Sequence, residues 1–279
     1  EIGGLNRLAE VGGEDQFDIV LRLDRPPVSA LRLTADNFIL GCTPAINLFE
    51  KDADPIRVEH DKTEYLALVG GERPKNGPTK VELCYGRADV RQRLVQLVAD
   101  YAEGRPEVDY LHFWLDDRSN DTCECEHCRH RKISEFFVMM LNDIDRELSR
   151  RGLPTRIVFL VYQDLRWPPD TERFVNPDRF VLMFAPSGRW YDVPYELPPP
   201  DLVLPTYRLN QNDRTHEVRE HVSFLQGWQR VFQGPGFVYD YHMVWYHFYD
   251  QGYYGLMEVL AEDIRRLPLL NLQGFVSCQ

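Results

Sequence analysis

The chain alternates strand segments with amphipathic helix segments, and this alternation constrains its fold more than any other feature. Most of the strand segments are almost continuously apolar, which is typical of parallel strands buried on both faces. In the helix segments between them, apolar residues recur at intervals of three and four. The strand segments are KVELCYG from Lys80, YLHFWLDD from Tyr110, RIVFLVY from Arg156, RFVLMFAP from Arg179, GFVYDYH from Gly236 and LQGFVSCQ from Leu272. The helix segments begin at Ala88, Ile133, Thr215 and Gly255, and Ser134 and Gly152 are the expected N-cap and stop of the second.

Strand followed by helix is the repeating unit of α/β proteins. The first eighty residues add two candidate strands, FDIVLRL from Phe17 and ALRLTADNFIL from Ala30. Eight strands would close a barrel, so we predict a (β/α)8 fold of the TIM-barrel type that is incomplete at its termini. The alternative is an open doubly wound sheet, but no strand is followed by a glycine-rich phosphate loop. We expect one domain over residues 1–279, with clearer strand and helix repeats in 61–279 than in 1–60.

Composition excludes several classes of partner. The net charge is −12 and no run of Lys or Arg is present, which argues against nucleic acid and anionic membrane. No apolar stretch approaches the roughly 20 residues of a membrane span, and the N-terminus lacks the pattern of a signal peptide. The chain does not begin with Met and ends inside an apolar segment, so we interpret it as part of a longer polypeptide. Localisation stays open, although reduced cysteines would favour the cytoplasm.

Carboxylates stand where two of the predicted strands end. Asp116 and Asp117 follow the strand from Tyr110, and Asp240 lies at the end of the strand from Gly236. Catalytic residues of barrel enzymes occupy this end of the strands, and glycoside hydrolysis uses a pair of carboxyl groups. Adjacent acids repel each other, which keeps one of them protonated. We therefore predict Asp117 as general acid, Asp116 as its polarising partner and Asp240 as base, nucleophile or sugar ligand. The alternative is that the acids only cap a polar loop.

The loops after the later strands are rich in Trp, Tyr and Pro, which suits the stacking of sugar rings in a cleft. Packing of surface loops is the alternative explanation for any one of these aromatic residues. The candidate carbohydrate-binding residues are Tyr162, Arg189, Trp190, Tyr241, His242 and Gln279.

Three cysteines follow the paired acids with the spacing C-x-C-x-x-C. Cys123, Cys125 and Cys128 could supply three corners of a tetrahedral Zn²⁺ site. Cys84 is the preferred fourth ligand, because it ends a neighbouring strand segment, and a site with four cysteine ligands would be closed and structural. His127 and His130 are rival ligands. Free reduced thiols, or a disulfide in an exported protein, are the other possibilities.

Several longer segments can be compared with known sequences. They are HDKTEYLALVGGER from His60, VELCYG from Val81, WLDDRSNDTCECEHC from Trp114, VYDYH from Val238 and IRRLPLLNLQGFVSCQ from Ile264. Together they resemble a bacterial domain family of unknown function, related to glycoside hydrolase barrels of the α-glucuronidase and β-hexosaminidase type. The resemblance implies a (β/α)8 fold and sugar substrates, and it matches Cys84 to a family cysteine at a strand end. It also implies that one of Asp116 and Asp117 acts as general acid while the other orients a 2-acetamido group.

The sequence thus predicts a glycoside hydrolase that acts on a carbohydrate ligand and carries structural zinc. A non-catalytic carbohydrate-binding module and a zinc-stabilised interaction domain are the alternatives.

Overall fold

The computed structural model describes residues 20–22, 63–73, 82–115, 119–244, 250 and 252–277. The strands are β1 (Val20–Arg22), β2 (Tyr110–Phe113), β3 (Arg156–Val161), β4 (Phe180–Phe184), β5 (Gly236–Asp240) and β6 (Gly274–Ser277). The helices are α1 (Ala88–Gly104), α2 (Ile133–Arg150), α3 (Val218–Val231) and α4 (Tyr254–Arg266). Short 3-10 helices cover Thr63–Tyr65, Gln163–Arg166, Pro177–Arg179 and Leu267–Leu270. Among the described residues, no helix combines the length and hydropathy needed to cross a membrane.

The strands form one sheet in the order β1-β6-β5-β4-β3-β2. The five strands from β2 to β6 are parallel and lie in chain order, whereas β1 runs antiparallel to β6. Because the order never reverses, each crossover moves one strand along the sheet in the same direction. The predicted alternation of strand and helix is therefore present, with a sheet that is parallel except at its β1 edge.

The predicted (β/α)8 barrel is wrong, because this sheet is open. Within the described part of the chain, β1 and β2 are its two edges and do not pair with each other. The segment KVELCYG was predicted as a strand, but its described residues, 82–86, contribute only an isolated antiparallel bridge between Leu83 and Leu66. The predicted strand from Ala30 lies outside the described residues. The doubly wound alternative is not observed either, since the strand order has no switch point.

The sheet is apolar on both faces, which explains why its strands are almost continuously apolar in sequence. Along β3, Phe159 and Val161 pack in the main core with the helices, whereas Val158 and Leu160 pack in a smaller cluster. Within the main core, the ring of Phe159 lies 5.7 Å from that of Trp228. Alternate residues of one strand thus point to opposite faces, as the pleat requires.

The two ends of α2 differ in how well the sequence predicts them. Ser134, the predicted N-cap, lies inside the first turn, and the N-cap is Lys132, which makes no side-chain capping bond. Gly152 is confirmed as the stop, with φ of +71°. Its amide donates to the Ser149 carbonyl and that of Leu153 to Leu148, the paired bonds of a Schellman motif.

Candidate metal centre and buried ionic network

Four thiols meet beside the amino end of α1. Cys84 follows the isolated bridge at Leu83, and the other three lie on the loop that joins β2 to α2. The four Sγ atoms lie within 4.8 Å of one another. The Sγ of Cys84 is 3.5 Å from that of Cys125 and 3.8 Å from that of Cys128. Folding therefore brings Cys84 to Cys123, Cys125 and Cys128 across a long stretch of chain.

Backbone amides point at two of the sulfur atoms. The Leu68 amide lies 3.3 Å from the Sγ of Cys123, and the Gly86 amide lies 3.2 Å from the Sγ of Cys128. A Cβ atom at Gly86 would stand 2.6 Å from that same Sγ. Glycine is thus required at residue 86 by the close approach of backbone to sulfur.

Contact between the thiols moves their pKa values in opposite directions, because contact with Cys128 and Cys84 lowers the pKa of Cys123 while the other two thiols become harder to ionise. Contact with Cys123 raises the pKa of Cys84 to about 11, and burial adds to the increase. Contact with the thiols of Cys123 and Cys84 likewise raises the pKa of Cys128. Four thiolates this close together would need a cation between them.

The rival interpretations of the cysteines are less consistent with this geometry. His127 and His130 are exposed, and neither belongs to the group of candidate ligands that the four cysteines form. All four cysteines are free, so none is joined in a disulfide. The predicted ligand set Cys84, Cys123, Cys125 and Cys128 is thus gathered at one point, while the presence of a metal stays a prediction.

Asparagine side chains connect the cysteine loop to residues 208–212. Asn210 accepts from the Thr122 amide at 2.9 Å and donates to the Thr122 carbonyl at 2.8 Å. Asn120 donates to the Asn212 carbonyl at 3.0 Å and accepts from the Asn212 amide at 2.8 Å. Asn120 also donates its backbone amide to Asp164 at 2.7 Å. The loop between β2 and α2 is therefore hydrogen-bonded both to residues 210–212 and to Asp164. These asparagines could not be identified from the sequence, because only folding brings them together.

A second cluster lies where the loop after β4 meets the end of β5 and α4. Its four members, Arg189, Asp240, His242 and Asp263, are fully buried. The Nη2 atom of Arg189 donates to Asp263 and lies 3.2 Å from the Nε2 atom of His242. The Nε atom of Arg189 is 3.5 Å from an oxygen of Asp240. The guanidinium thus supplies positive charge between two buried carboxylates.

Two tyrosines enclose the guanidinium. Its central carbon lies 4.5 Å from the ring centroid of Tyr191 and 4.2 Å from that of Tyr195. Both hydroxyl groups donate to Asp240. The backbone amide of Tyr195 donates to Asp263 at 2.6 Å. The loop after β4 is thereby fixed to β5 and to α4 by hydrogen bonds and cation–π contacts.

The electrostatics of this cluster favour fixed charges. Burial alone would raise the pKa of Asp240, but the charge of Arg189 outweighs it and lowers that pKa. Burial and the nearby charge of Asp240 raise the pKa of Tyr191 and of Tyr195 well above the usual range. Asp240 therefore stays ionised and both tyrosines stay protonated donors near neutral pH.

The predicted carbohydrate-binding residues do not share one environment. Arg189 and His242 belong to the buried network, whereas Trp190 is 48% exposed and its ring stacks on His216. Tyr162 lines a small pocket beside β3, and Tyr241 packs partly buried against the smaller apolar cluster. The remaining predicted site residues, Asp116, Asp117 and Gln279, lie outside the described residues.

Sequence reasoning missed Asp263, Tyr191 and Tyr195. A signal for Asp263 was present, because it continues the buried stripe of α4 formed by Leu256 and Val259. A carboxylate on the apolar face of a helix needs a buried partner.

The described residues define an α/β protein with a largely parallel sheet, a cluster of four thiols and a buried ionic network. The family comparison is more specific: a model described as "Type VI secretion system, TssF" matches residues 1–152. That match covers more than half of the chain, which therefore belongs to the TssF family. TssF is a component of the type VI secretion baseplate, a structural part of the secretion apparatus. No significant match was found among curated proteins or among solved structures.

The family match corrects the functional interpretation of the sequence. The resemblance to a bacterial family related to glycoside hydrolases was wrong, as were the predictions of a hydrolase and of a carbohydrate ligand. TssF membership implies protein partners within the baseplate instead. The hydrolase prediction was based on acidic and aromatic residues near strand ends. Such residues also form buried structural networks at these positions, as Asp240, Tyr191 and Tyr195 do here. The catalytic roles assigned to Asp116, Asp117 and Asp240 depended on the hydrolase interpretation.

Proposed function

We propose that the chain is a structural component of a type VI secretion apparatus and acts by binding other proteins of its baseplate. The observation that carries this proposal is the TssF match over residues 1–152, which includes α1, β2, α2 and all four clustered cysteines. The buried network is consistent with a structural role, because its charged groups are directed at one another and away from solvent.

The loop after β4 is the surface we propose for a protein partner. Arg189, Tyr191 and Tyr195 point inward and are anchored by the network, while Trp190 and Val193 between them are exposed. Because the inward side chains anchor the loop, its backbone is ordered while the apolar side chains between them remain exposed to solvent. A partner that covers them gains apolar burial at a small cost in loop entropy.

The same loop continues to expose apolar residues as far as Val203, which is 85% exposed. Two anchors restrain this continuation: Arg266 donates to the Tyr195 carbonyl at 2.8 Å, and Trp167 donates to the Pro205 carbonyl at 2.8 Å. The large apolar side chains that this loop exposes are those of Trp190, Val193, Leu197, Leu202 and Val203. They are proposed as one protein-binding surface.

The test is deletion and complementation in the bacterium that encodes the chain. Loss of the gene should abolish type VI secretion into the medium, and the full-length protein should restore it and co-purify with other baseplate proteins. Secretion that continues unchanged without the gene would overturn the proposed function.

A charged substitution tests the surface separately. Val203→Asp should reduce both co-purification and secretion by about tenfold, because a buried unpaired charge opposes association. Val175→Asp is the matched control, since Val175 is 77% exposed but precedes β4 and does not belong to this loop. If Val203→Asp behaves like Val175→Asp while deletion abolishes secretion, the surface is wrong and the function stands.

A further inference from the structure

We propose that Cys84, Cys123, Cys125 and Cys128 bind one Zn²⁺ ion in a closed structural site. A tetrahedral site with Zn–S bonds of about 2.3 Å places its sulfur atoms about 3.8 Å apart. Two of the Sγ separations, 3.5 Å and 3.8 Å, are close to this value, and all four Sγ atoms lie within 4.8 Å of one another. The thiols are therefore spaced as ligands of one ion.

The donor set favours a metal that binds thiolates, such as zinc, over metals that prefer oxygen ligands. Four thiolates are soft ligands, unlike the oxygen ligands that Mg²⁺ and Ca²⁺ prefer. Cys84, Cys123 and Cys128 are buried, and four protein ligands leave no open corner for water or substrate. A site with these properties stabilises structure and does not catalyse a reaction.

The geometry argues against a disulfide. A disulfide requires sulfur atoms about 2.05 Å apart, well below the 3.5 Å between Cys84 and Cys125. A disulfide would also use only two of the four thiols that meet here.

Hydrogen-bond donors and a positive charge surround the sulfur atoms, as expected for metal-bound thiolates. Amides of Leu68 and Gly86 are directed at the Sγ atoms of Cys123 and Cys128, as hydrogen-bond donors around metal-bound thiolates are. Four thiolates and Zn²⁺ leave a net charge of about −2. Arg91 on α1 interacts electrostatically with Cys128 and Cys84 and offsets part of that charge.

The ion would join three segments that are distant in sequence. Cys84 lies in the first segment, residues 82–86, and the other three cysteines lie in the second, the loop between β2 and α2. The third segment, residues 66–70, is joined to that loop by hydrogen bonds. The Glu124 amide donates to the Leu68 carbonyl at 2.7 Å, and the Glu124 carboxylate accepts from the Gly70 amide at 2.8 Å. All three segments lie within the part of the chain that matches TssF.

Metal analysis of the purified full chain is the first experiment. Inductively coupled plasma mass spectrometry should find about one Zn per chain in the unsubstituted protein. Zinc should be lost in Cys84→Ser and in Cys125→Ser, and retained in Cys42→Ser, which removes a cysteine outside the four. Absence of metal, or iron in place of zinc, would overturn the proposal, as would zinc retained in both cluster variants.

A second measurement does not depend on the variants folding. Titration of the unsubstituted protein with an organomercurial reagent should release its zinc to a colorimetric chelator as four thiols react. Cobalt exchanged into the site should give the strong visible absorption of tetrahedral thiolate coordination. Zinc released without thiol modification, or cobalt bound with the weak spectrum of octahedral coordination, would contradict a four-thiolate site.

Discussion

Arg189 is the residue on which the loop after β4, the end of β5 and α4 converge. Its side chain is fully buried, with Asp240 and Asp263 as counter-charges and two tyrosine rings as walls. Burying a charge in this way is stable only when the partners are kept, because an unpaired ion in the interior loses its hydration without compensation. Each carboxylate should therefore matter more to the fold than an exposed acid does.

Substitution of Asp240 tests this dependence. Asp240→Asn keeps the shape but removes the counter-charge of Arg189, and we expect the free energy of unfolding to fall by about 3 to 5 kcal/mol. Urea unfolding followed by circular dichroism measures the change. Asp192→Asn, at an exposed acid on the loop after β4, should change stability by less than about 0.5 kcal/mol. Equal effects of the two substitutions would show that the network contributes little.

Substitution of Gly86 tests whether the backbone must approach the thiol cluster closely. Gly86→Ala places a Cβ 2.6 Å from the Sγ of Cys128, so the loop or the sulfur must shift. We expect zinc to leave about tenfold faster when a chelator is added, because misplacing a ligand and its amide donor weakens metal binding. Gly104→Ala is the control, since no atom lies within 4 Å of its added Cβ. Unchanged release in Gly86→Ala would contradict the close approach.

Among the structural elements, α2 shows how one helix organises a distant loop. Glu135, in its first turn, is buried and accepts from the amides of Asp170, Thr171 and Glu172. The Thr171 hydroxyl donates to the same carboxylate at 2.9 Å. The helix therefore holds the start of the segment that leads into β4.

Removal of this carboxylate should loosen the segment. In Glu135→Ala we expect the free energy of unfolding to fall by about 3 kcal/mol, because buried amide donors lose their acceptor. Hydrogen exchange should accelerate at the amides of Asp170, Thr171 and Glu172. Glu258→Ala, at an exposed glutamate on α4, is the control. Protection at residues 170–172 that survives in Glu135→Ala would contradict the role assigned to Glu135.

The elements themselves were largely predictable. The helix segment from Ala88 became α1 with the expected bounds, and five apolar segments became β2 to β6. The prediction failed at KVELCYG, where Cys84 follows a single bridge pair and turns toward the thiol cluster. The described residues of this segment pair with Leu66 through one bridge only, and β propensity does not specify which partner a strand finds.

Across the whole molecule, acid should weaken the fold. Burial alone would raise the pKa values of Asp240 and Glu135, but Arg189 and backbone amides respectively lower them below their ordinary values of 3.8 and 4.5. The unfolded chain therefore takes up protons at higher pH than the folded chain does. Both contributions to stability are present above these ordinary values and are lost as pH falls toward the lower folded values.

Denaturant unfolding at two pH values measures this dependence. The urea midpoint should be lower at about pH 3.5 than at about pH 7. The combined variant Asp240→Asn with Glu135→Gln should be less stable at neutral pH but lose less stability on acidification. An acid-induced loss of the same size in both proteins would assign the pH dependence to other groups.

The sequence by itself determined the α/β class, the identity of the four helices and the cluster of three cysteines. These features depend on patterns within a few residues, such as helical periodicity or the C-x-C-x-x-C spacing. The tertiary structure alone decided that the sheet stays open and that Asp240 pairs with Arg189 and two tyrosines, and it brought Cys84, which the sequence offered as the preferred fourth ligand, into contact with the other thiols. Edge pairing, thiol contact and charge pairing each join residues far apart in the chain, and local pattern does not specify such partners.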